Sequence, residues 1–253
     1  MTKCYANNIP SGVLPLVLHR IMRDSLSSWE DIHIDLFDSI LTATKGKLVN
    51  VKNYDRHAAG KWLLTFDDGN YSDYDIAFPL LKKYSASAIF FVITDYIGTA
   101  GYLSRENILE MSRHGMSFGS HGKSHQNLTK LSNEDVTCEL LHSRELLEDM
   151  LGSPISSFSY PFGYRNARID SIARTCGYEN LFSSKHGYTR TSGIIPRNSI
   201  NKTYTNDQLP RVLFPSFSQR LSWMVEDSAK EFIKKTIGGQ GYYKLRTLMY
   251  KRN

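Results

Sequence analysis

The chain alternates short, continuous apolar runs with longer stretches in which apolar residues return at helical spacing. VLPLVLH (residues 13–19), WLLTF (62–66), SAIFFVI (87–93), MSFGSH (116–121), ISSFSYPFG (155–163), LFSSKHG (181–187) and GIIPRNSI (193–200) read as strands. SWEDIHIDLFDSILTAT (28–44) sets Ile32, Leu36, Ile40 and Leu41 at helical spacing, and YDIAFPLLKKYS (74–85) reads as a helix with an early proline. SRENILEMSRHG (104–115) opens on Ser104 as N-cap and stops at Gly115. SNEDVTCELLHSRELLEDMLG (132–152) opens on Ser132, carries Asp135 at its third helical position and stops at Gly152. NARIDSIARTCG (166–177) is a further helix with a terminal glycine.

Strands that alternate with helices predict parallel pairing with the helices outside, and six or seven such units predict a closed or nearly closed α/β barrel. Chemistry in such barrels gathers at the C-terminal ends of the strands. TFDDG (65–69), GSHGKSH (119–125) and SYPFG (159–163) all lie there. From about Asp207 the character changes to aromatic and basic, with a glycine break at Gly238-Gly239. Residues 1–206 therefore read as the barrel and 207–253 as a helical extension packed on it, with a basic amphipathic segment at a membrane surface as the alternative.

Composition narrows the picture a little. The 253 residues are 41% hydrophobic, enough for one sizeable core, and the formal charge is +6. There is no K/R-rich run interleaved with aromatics, so nucleic acid is not an expected partner. Cys4, Cys138 and Cys176 are widely spaced and form neither a metal pattern nor a disulfide framework, which fits reduced cysteines in a cytoplasmic protein. The first 22 residues lack a cationic start and a small-residue cleavage site, so the expected location is cytoplasmic, with membrane association through the basic tail.

The chemistry begins with adjacent carboxylates. Asp67 and Asp68 follow an apolar strand, where two charges would repel. Adjacent side chains on extended backbone point in opposite directions, so one can ligate a metal while the other faces substrate as a base. A cation would also offset the repulsion. His121 and His125, four apart, can turn both rings to one point and complete a two-histidine, one-carboxylate set suited to zinc or a similar divalent ion.

TFDDG, SHGKSHQNL (120–128) and FSYPFG (158–163), in this order, resemble the polysaccharide deacetylases of carbohydrate esterase family 4, the NodB-like and chitin deacetylase-like group. The YPFG form resembles a subgroup acting on bacterial surface glycans. The resemblance covers roughly residues 62–200. It implies a distorted (β/α)7 barrel and removal of N-acetyl groups from sugars with Zn2+, or with Co2+, Ni2+ or Mn2+. It also implies Asp67 as base, Asp68, His121 and His125 as metal ligands, and the Phe162 N–H as oxyanion donor.

Three places depart from the family pattern. Gly122 stands where Ser or Thr is usual, and Ser124 is the substitute expected to steady that loop. Ser159 stands where many members carry an arginine, and Arg197 is the candidate partner for Asp67 in its place. IIPRNSI lacks the family's late histidine, which leaves His186 and His19 as candidate proton donors. His186 is expected as the catalytic acid, with His19 and Tyr160 at the substrate.

The expected partner is an N-acetylated glycan of a bacterial surface polysaccharide, or its precursor. The alternatives are a catalytically silent carbohydrate-binding homologue and a deformylase or O-deacetylase acting on a lipid- or nucleotide-linked sugar. A scaffolding role at a membrane is a third class, resting on the basic tail.

Overall fold

The computed structural model describes residues 11–52, 55, 57–189 and 193–251. Cys4 and the rest of the first ten positions lie outside the described residues. In chain order the elements are β1 (Leu14–Leu18), β2 (Ile21–Met22), β3 (Ile32–His33), α1 (Ile34–Ala43), β4 (Trp62–Phe66), α2 (Phe78–Lys83), β5 (Ile89–Val92) and α3 (Arg105–Arg113). They continue as β6 (Ser117–Ser120), α4 (Asn133–Leu151), β7 (Ser157–Ser159), α5 (Ala167–Thr175), β8 (Asn180–Phe182), β9 (Ile194–Ile195), β10 (Asn198–Ser199), α6 (Leu209–Leu213) and α7 (Phe217–Lys251).

Eight strands form one parallel sheet in the order β10-β1-β4-β5-β6-β7-β8-β9. β9 and β10 are two halves of a single run. The first half pairs with β8 and the second with β1, so residues 194–199 bridge the two edges of the sheet. Pro196 has no N–H to give the ladder, and the run breaks there and at Arg197. Counted as runs there are seven, which is the distorted (β/α)7 barrel that the sequence leads one to expect.

Alternation along the strands sorts the side chains. Trp62, Leu64 and Phe66 of β4 join Leu14, Leu16 and Leu18 of β1 in the large core under the helices. Leu63 packs on the other face with Ile89, Phe91, Phe182 and Ile195. Thr65 shares the parity of Leu63, and so does Asp67, the residue that follows β4. The period of two therefore aims Asp67 inward.

Two helices differ from the sequence pattern. α1 starts at Ile34 rather than near residue 28, because Ile32 and His33 pair with β2. The His33 side chain then caps the helix by accepting from the Asp35 N–H. Ahead of α2, Asp73–Ala77 forms a wide turn in which the Phe78 N–H reaches back to the Asp73 carbonyl. Pro79 at the start of α2 cannot donate to the preceding turn, and the wider turn accommodates that.

The C-terminal segment packs on the barrel. Leu209, Val212, Leu213 and Trp223 are buried in the large core, and the Trp62 indole donates to the Leu213 carbonyl at 3.1 Å. α7 breaks at Gly238, whose backbone is non-helical (φ 70°, ψ 169°), as the glycine pair predicts. Phe217, Leu221, Met224, Val225 and Phe232 stand exposed on its outer side. Among the described residues, no helix is long and apolar enough to cross a membrane.

Gly119 of β6 fixes how closely β5, β6 and β7 pack beneath the histidine loop. A Cβ there would lie 2.6 Å from the Phe91 ring and 2.8 Å from the Ser157 carbonyl oxygen. Gly119→Ala is expected to cost about 1–3 kcal/mol through overpacking. It should appear as a lower denaturant midpoint at unchanged slope.

Candidate active site

Five strand ends supply the site. His19 follows β1, Asp67 and Asp68 follow β4, His121 ends the run of β6, Phe162 follows β7, and Arg197 sits at the break between β9 and β10. All lie at the C-terminal side of the parallel sheet.

Arg197 grips Asp67 with both prongs. Nη1 donates to Oδ1 at 2.6 Å and Nη2 to Oδ2 at 2.7 Å, and both side chains are buried. The other guanidinium bonds go to Thr65 Oγ1 (3.2 Å), Ser159 Oγ (2.8 Å) and the Ser183 carbonyl (3.1 Å). The Ser159 hydroxyl in turn donates a hydrogen bond to Asp67 Oδ2 at 3.1 Å. The Phe91 and Phe182 rings flank the guanidinium, with centroids 5.5 and 5.9 Å away. Burial alone would raise the Asp67 carboxyl. Arg197, and then His121, outweigh it and hold the group well below the usual carboxylate range. Asp67 is thus a fixed, ionised acceptor, and the candidate partnership with Arg197 is present as a bidentate pair.

Asp68 turns away from this pair. Its Oδ1 lies 3.5 Å from His121 Nε2 and 3.6 Å from His125 Nε2, and the three groups offer ligand atoms all within 4.8 Å of one another. His121 Nδ1 is 2.8 Å from the Ser159 carbonyl oxygen. Donation there puts the proton on Nδ1 and leaves the Nε2 lone pair facing Asp68. Burial is the main reason that both imidazoles are pushed down to about 4, so they are neutral at ordinary pH. The His121 lone pair and the Asp68 carboxylate meet at 3.5 Å with His125 Nε2 at 3.6 Å, and a cation between them would relieve their repulsion. That donor set fits a divalent ion of the zinc type.

The histidine loop is tied from an unexpected quarter. Glu139 on α4 accepts from the Lys123 N–H (3.0 Å), the Ser124 N–H (2.9 Å) and the Ser124 hydroxyl. The Gly122 N–H donates to Ser120 Oγ at 3.0 Å. Ser124 supplies the steadying bond expected of it, with Glu139 as its anchor.

Phe162 sits in a tight left-handed turn at φ 57° and ψ 7°, followed by Gly163 at φ 68°. The Tyr164 N–H closes the turn on the Pro161 carbonyl at 3.1 Å. Glycine adopts such angles freely, whereas phenylalanine pays about 1–3 kcal/mol. Among the described residues the Phe162 N–H has no main-chain acceptor, and its ring packs 4.3 Å from that of His125. That N–H is therefore left without a partner while the ring lies against His125.

His19 joins the site and His186 does not. His19 Nε2 is 3.6 Å from Glu30 Oε1, and its buried Nδ1 has no hydrogen-bonding partner. Burial would lower it, but Glu30, Asp68 and Asp67 together raise it above the ordinary histidine value. The His186 ring instead stacks on Trp223 at 5.2 Å and places Nδ1 2.8 Å from Asp227 on α7. Asp227 also accepts from the His186 N–H at 2.9 Å, so the expected catalytic acid is a clasp for α7. Tyr160 is likewise not a substrate contact. It is buried in the second core cluster, and its hydroxyl donates to Asp170 at 2.7 Å, because alternation after the inward Ser159 turns it outward.

Ser159, Glu139 and Asp73 escaped the sequence reading. Asp73 is fully buried with neither carboxyl oxygen hydrogen-bonded, and burial followed by Asp68 and Asp67 raises it well above the carboxylate range. A polar residue at the inward parity of β7 was a signal for Ser159, whereas nothing local pointed to Glu139 or Asp73.

A parallel barrel with an Asp-His-His cluster and an arginine-held carboxylate at its strand ends is the frame expected of a deacetylase. Comparison with known proteins agrees. A profile described as polysaccharide deacetylase matches residues 55–181, and the chain belongs to that family. YxkH of Bacillus subtilis (strain 168) is 36% identical over 125 residues, covering 49% of this chain and 45% of that protein. The poly-beta-1,6-N-acetyl-D-glucosamine N-deacetylase of Staphylococcus aureus (strain MRSA252) is 26% identical over 164 residues, 59% of this chain and 53% of the other. The match thus spans only about half the length of these curated relatives. Among solved structures, the Streptococcus pyogenes deacetylase PplD in complex with acetate superposes with a TM-score of 0.74 at 27% identity, covering 81% of this chain and 100% of that one.

Arg197→Met should unpair a buried carboxylate and lower stability by about 3–5 kcal/mol. With the arginine gone, burial loses the largest influence that opposes it and Asp67 rises from its depressed value. A base must be ionised to act, so the acid limb of the kcat/KM profile should move to higher pH. An unmoved limb would show that Arg197 does not set the ionisation of Asp67.

Proposed function

We propose that the chain is a divalent-metal-dependent hydrolase that removes N-acetyl groups from hexosamines of a bacterial surface glycan or its precursor. The observation that carries this reading is the ionised Asp67, held by Arg197 and Ser159, one residue from the convergent Asp68, His121 and His125. The S. aureus relative is named for N-deacetylation of a poly-N-acetylglucosamine, which supports this class of substrate.

Asp68, His121 and His125 would hold the cation, which supplies polarisation of the acetyl carbonyl and acidifies a nearby water. Asp67 accepts the proton as that water's oxygen bonds to the acetyl carbon. The Phe162 N–H faces the oxygen that gains charge, a contact worth on the order of 3 kcal/mol. The carbon–nitrogen bond then breaks and the sugar nitrogen takes a proton. His19, raised by its carboxylate neighbours, is the donor that the geometry offers. Products are acetate and a free amino sugar.

Acetate release from N-acetylglucosamine oligomers, with chelated and zinc-restored arms, tests the whole. Asp67→Asn should retain the metal and lose activity by about 10²–10⁴-fold. A wild-type chain that binds the oligomers but releases no acetate from N-acetyl, N-formyl or O-acetyl sugars would be a silent binder.

His19 has its own test. An acid must be protonated, so activity should fall as pH rises through its elevated value, and His19→Asn should lose that alkaline limb. The same variant should keep its rate on an aryl acetate, whose leaving group needs no proton. Equal losses on both substrates would remove His19 from this role.

We further propose that α7 rests on an anionic lipid surface. Its exposed row (Phe217, Leu221, Met224, Val225 and Phe232) lies in a segment, 207–253, with nine lysines and arginines against four acidic residues. Sedimentation with phosphatidylglycerol vesicles should exceed that with neutral vesicles and be lost in Leu221→Ser/Phe232→Ser. Concentration-dependent dimers without vesicle binding would assign the row to a second copy instead.

A further inference from the structure

The turn at Phe162 has to be held from outside itself, because a left-handed non-glycine residue persists only where its surroundings over-determine it. The Phe162 carbonyl accepts from Nζ of Lys234, a residue 72 positions away on α7, at 3.1 Å. The same ammonium lies 4.4 Å from the Tyr164 ring centroid and 5.3 Å from that of Tyr242. α7 is in turn anchored beside the site through His186 with Asp227 and through Lys185 with Glu231.

We propose that Lys234 is a positioning residue for hydrolysis: by holding the Phe162 carbonyl it keeps the turn left-handed and the Phe162 N–H aimed at the substrate oxygen. The inference rests on the deacetylase reading given above. It makes α7 part of the active site. Relaxing Phe162 to a negative φ would swing its N–H away from Asp68, His121 and His125 and would carry its carbonyl off Lys234. Within the turn the Tyr164 N–H holds the Pro161 carbonyl, and the lysine and the packing of the Phe162 ring on His125 add the restraint from outside it.

The test compares Lys234→Met and Lys234→Arg with wild type on N-acetylglucosamine oligomers. Lys234→Met should lower kcat by roughly ten- to a hundred-fold, in line with loss of one oxyanion donor, while KM stays within about two-fold. Affinity for a methylphosphonamide of the same oligomer, which mimics the tetrahedral state, should fall by the same factor. Lys234→Arg, which keeps a donor, should restore most of both. Zinc content and melting temperature should match wild type. A rise in KM alone would make Lys234 a substrate contact and overturn the proposal, as would an undiminished affinity for the mimic. Should wild type release no acetate, the deacetylase reading fails, and a crystal structure of Lys234→Met decides this one: a Phe162 that remains left-handed refutes it, and one at negative φ supports the lock.

Discussion

The buried pair of Asp67 and Arg197 is the interaction on which the rest is arranged. It joins the end of β4 to the break between β9 and β10, where one run of chain bridges both edges of the sheet. A buried ion pair is a poor source of stability, since desolvation takes back most of the Coulombic gain. Its value here is control. The fork fixes the carboxylate rotamer, and the charge keeps it ionised where burial alone would protonate it. Barrel closure and the ionised state of Asp67 therefore rest on the same contact.

Around that pair the backbone departs from relaxed geometry. Among the described residues, four non-glycine positions have positive φ, and Asp68, His125 and Phe162 are three of them. Such strain concentrates where side chains or N–H groups must converge against the preference of the chain. Asp68 turns out of the strand direction to meet two imidazoles while Asp67 keeps it. Adjacent carboxylates thus end in different environments, one clamped by arginine and one facing histidines. Extended alternation predicted the separation of roles, and the left-handed step at Asp68 is what carries it out.

The barrel was legible because its signals are local: buried runs, caps at Ser104 and Ser132, and stops at Gly115 and Gly152 all fall where the pattern puts them. The core of the site was legible for a related reason, since Asp67, Asp68, His121 and His125 lie in two short motifs at strand ends. Arg197 could be named because it stands at another strand end, facing the same interior. Glu139 could not, as it projects from the middle of a helix into a loop that precedes it by many residues. His186 misled because its distance from a strand end is right while its direction is set by α7. Tyr160 misled through a parity of one residue.

Register explains why His19, the proposed proton donor, lies beside Asp67. Leu18 of β1 pairs with Phe66 of β4, and the Asp67 N–H donates to the Leu18 carbonyl at 3.0 Å. The next residue on β1 is His19, so the histidine and the carboxylate emerge side by side from adjacent strands. A residue after β8 has no such neighbour, because the run of β9 and β10 stands between it and β1. With the final run carrying an arginine inward in place of a histidine, β1 is the strand next to β4 that brings a histidine beside Asp67. On the proposed reading, the missing late histidine and the inward Arg197 are two sides of one rearrangement: the last run clamps Asp67, and the first carries the proposed acid.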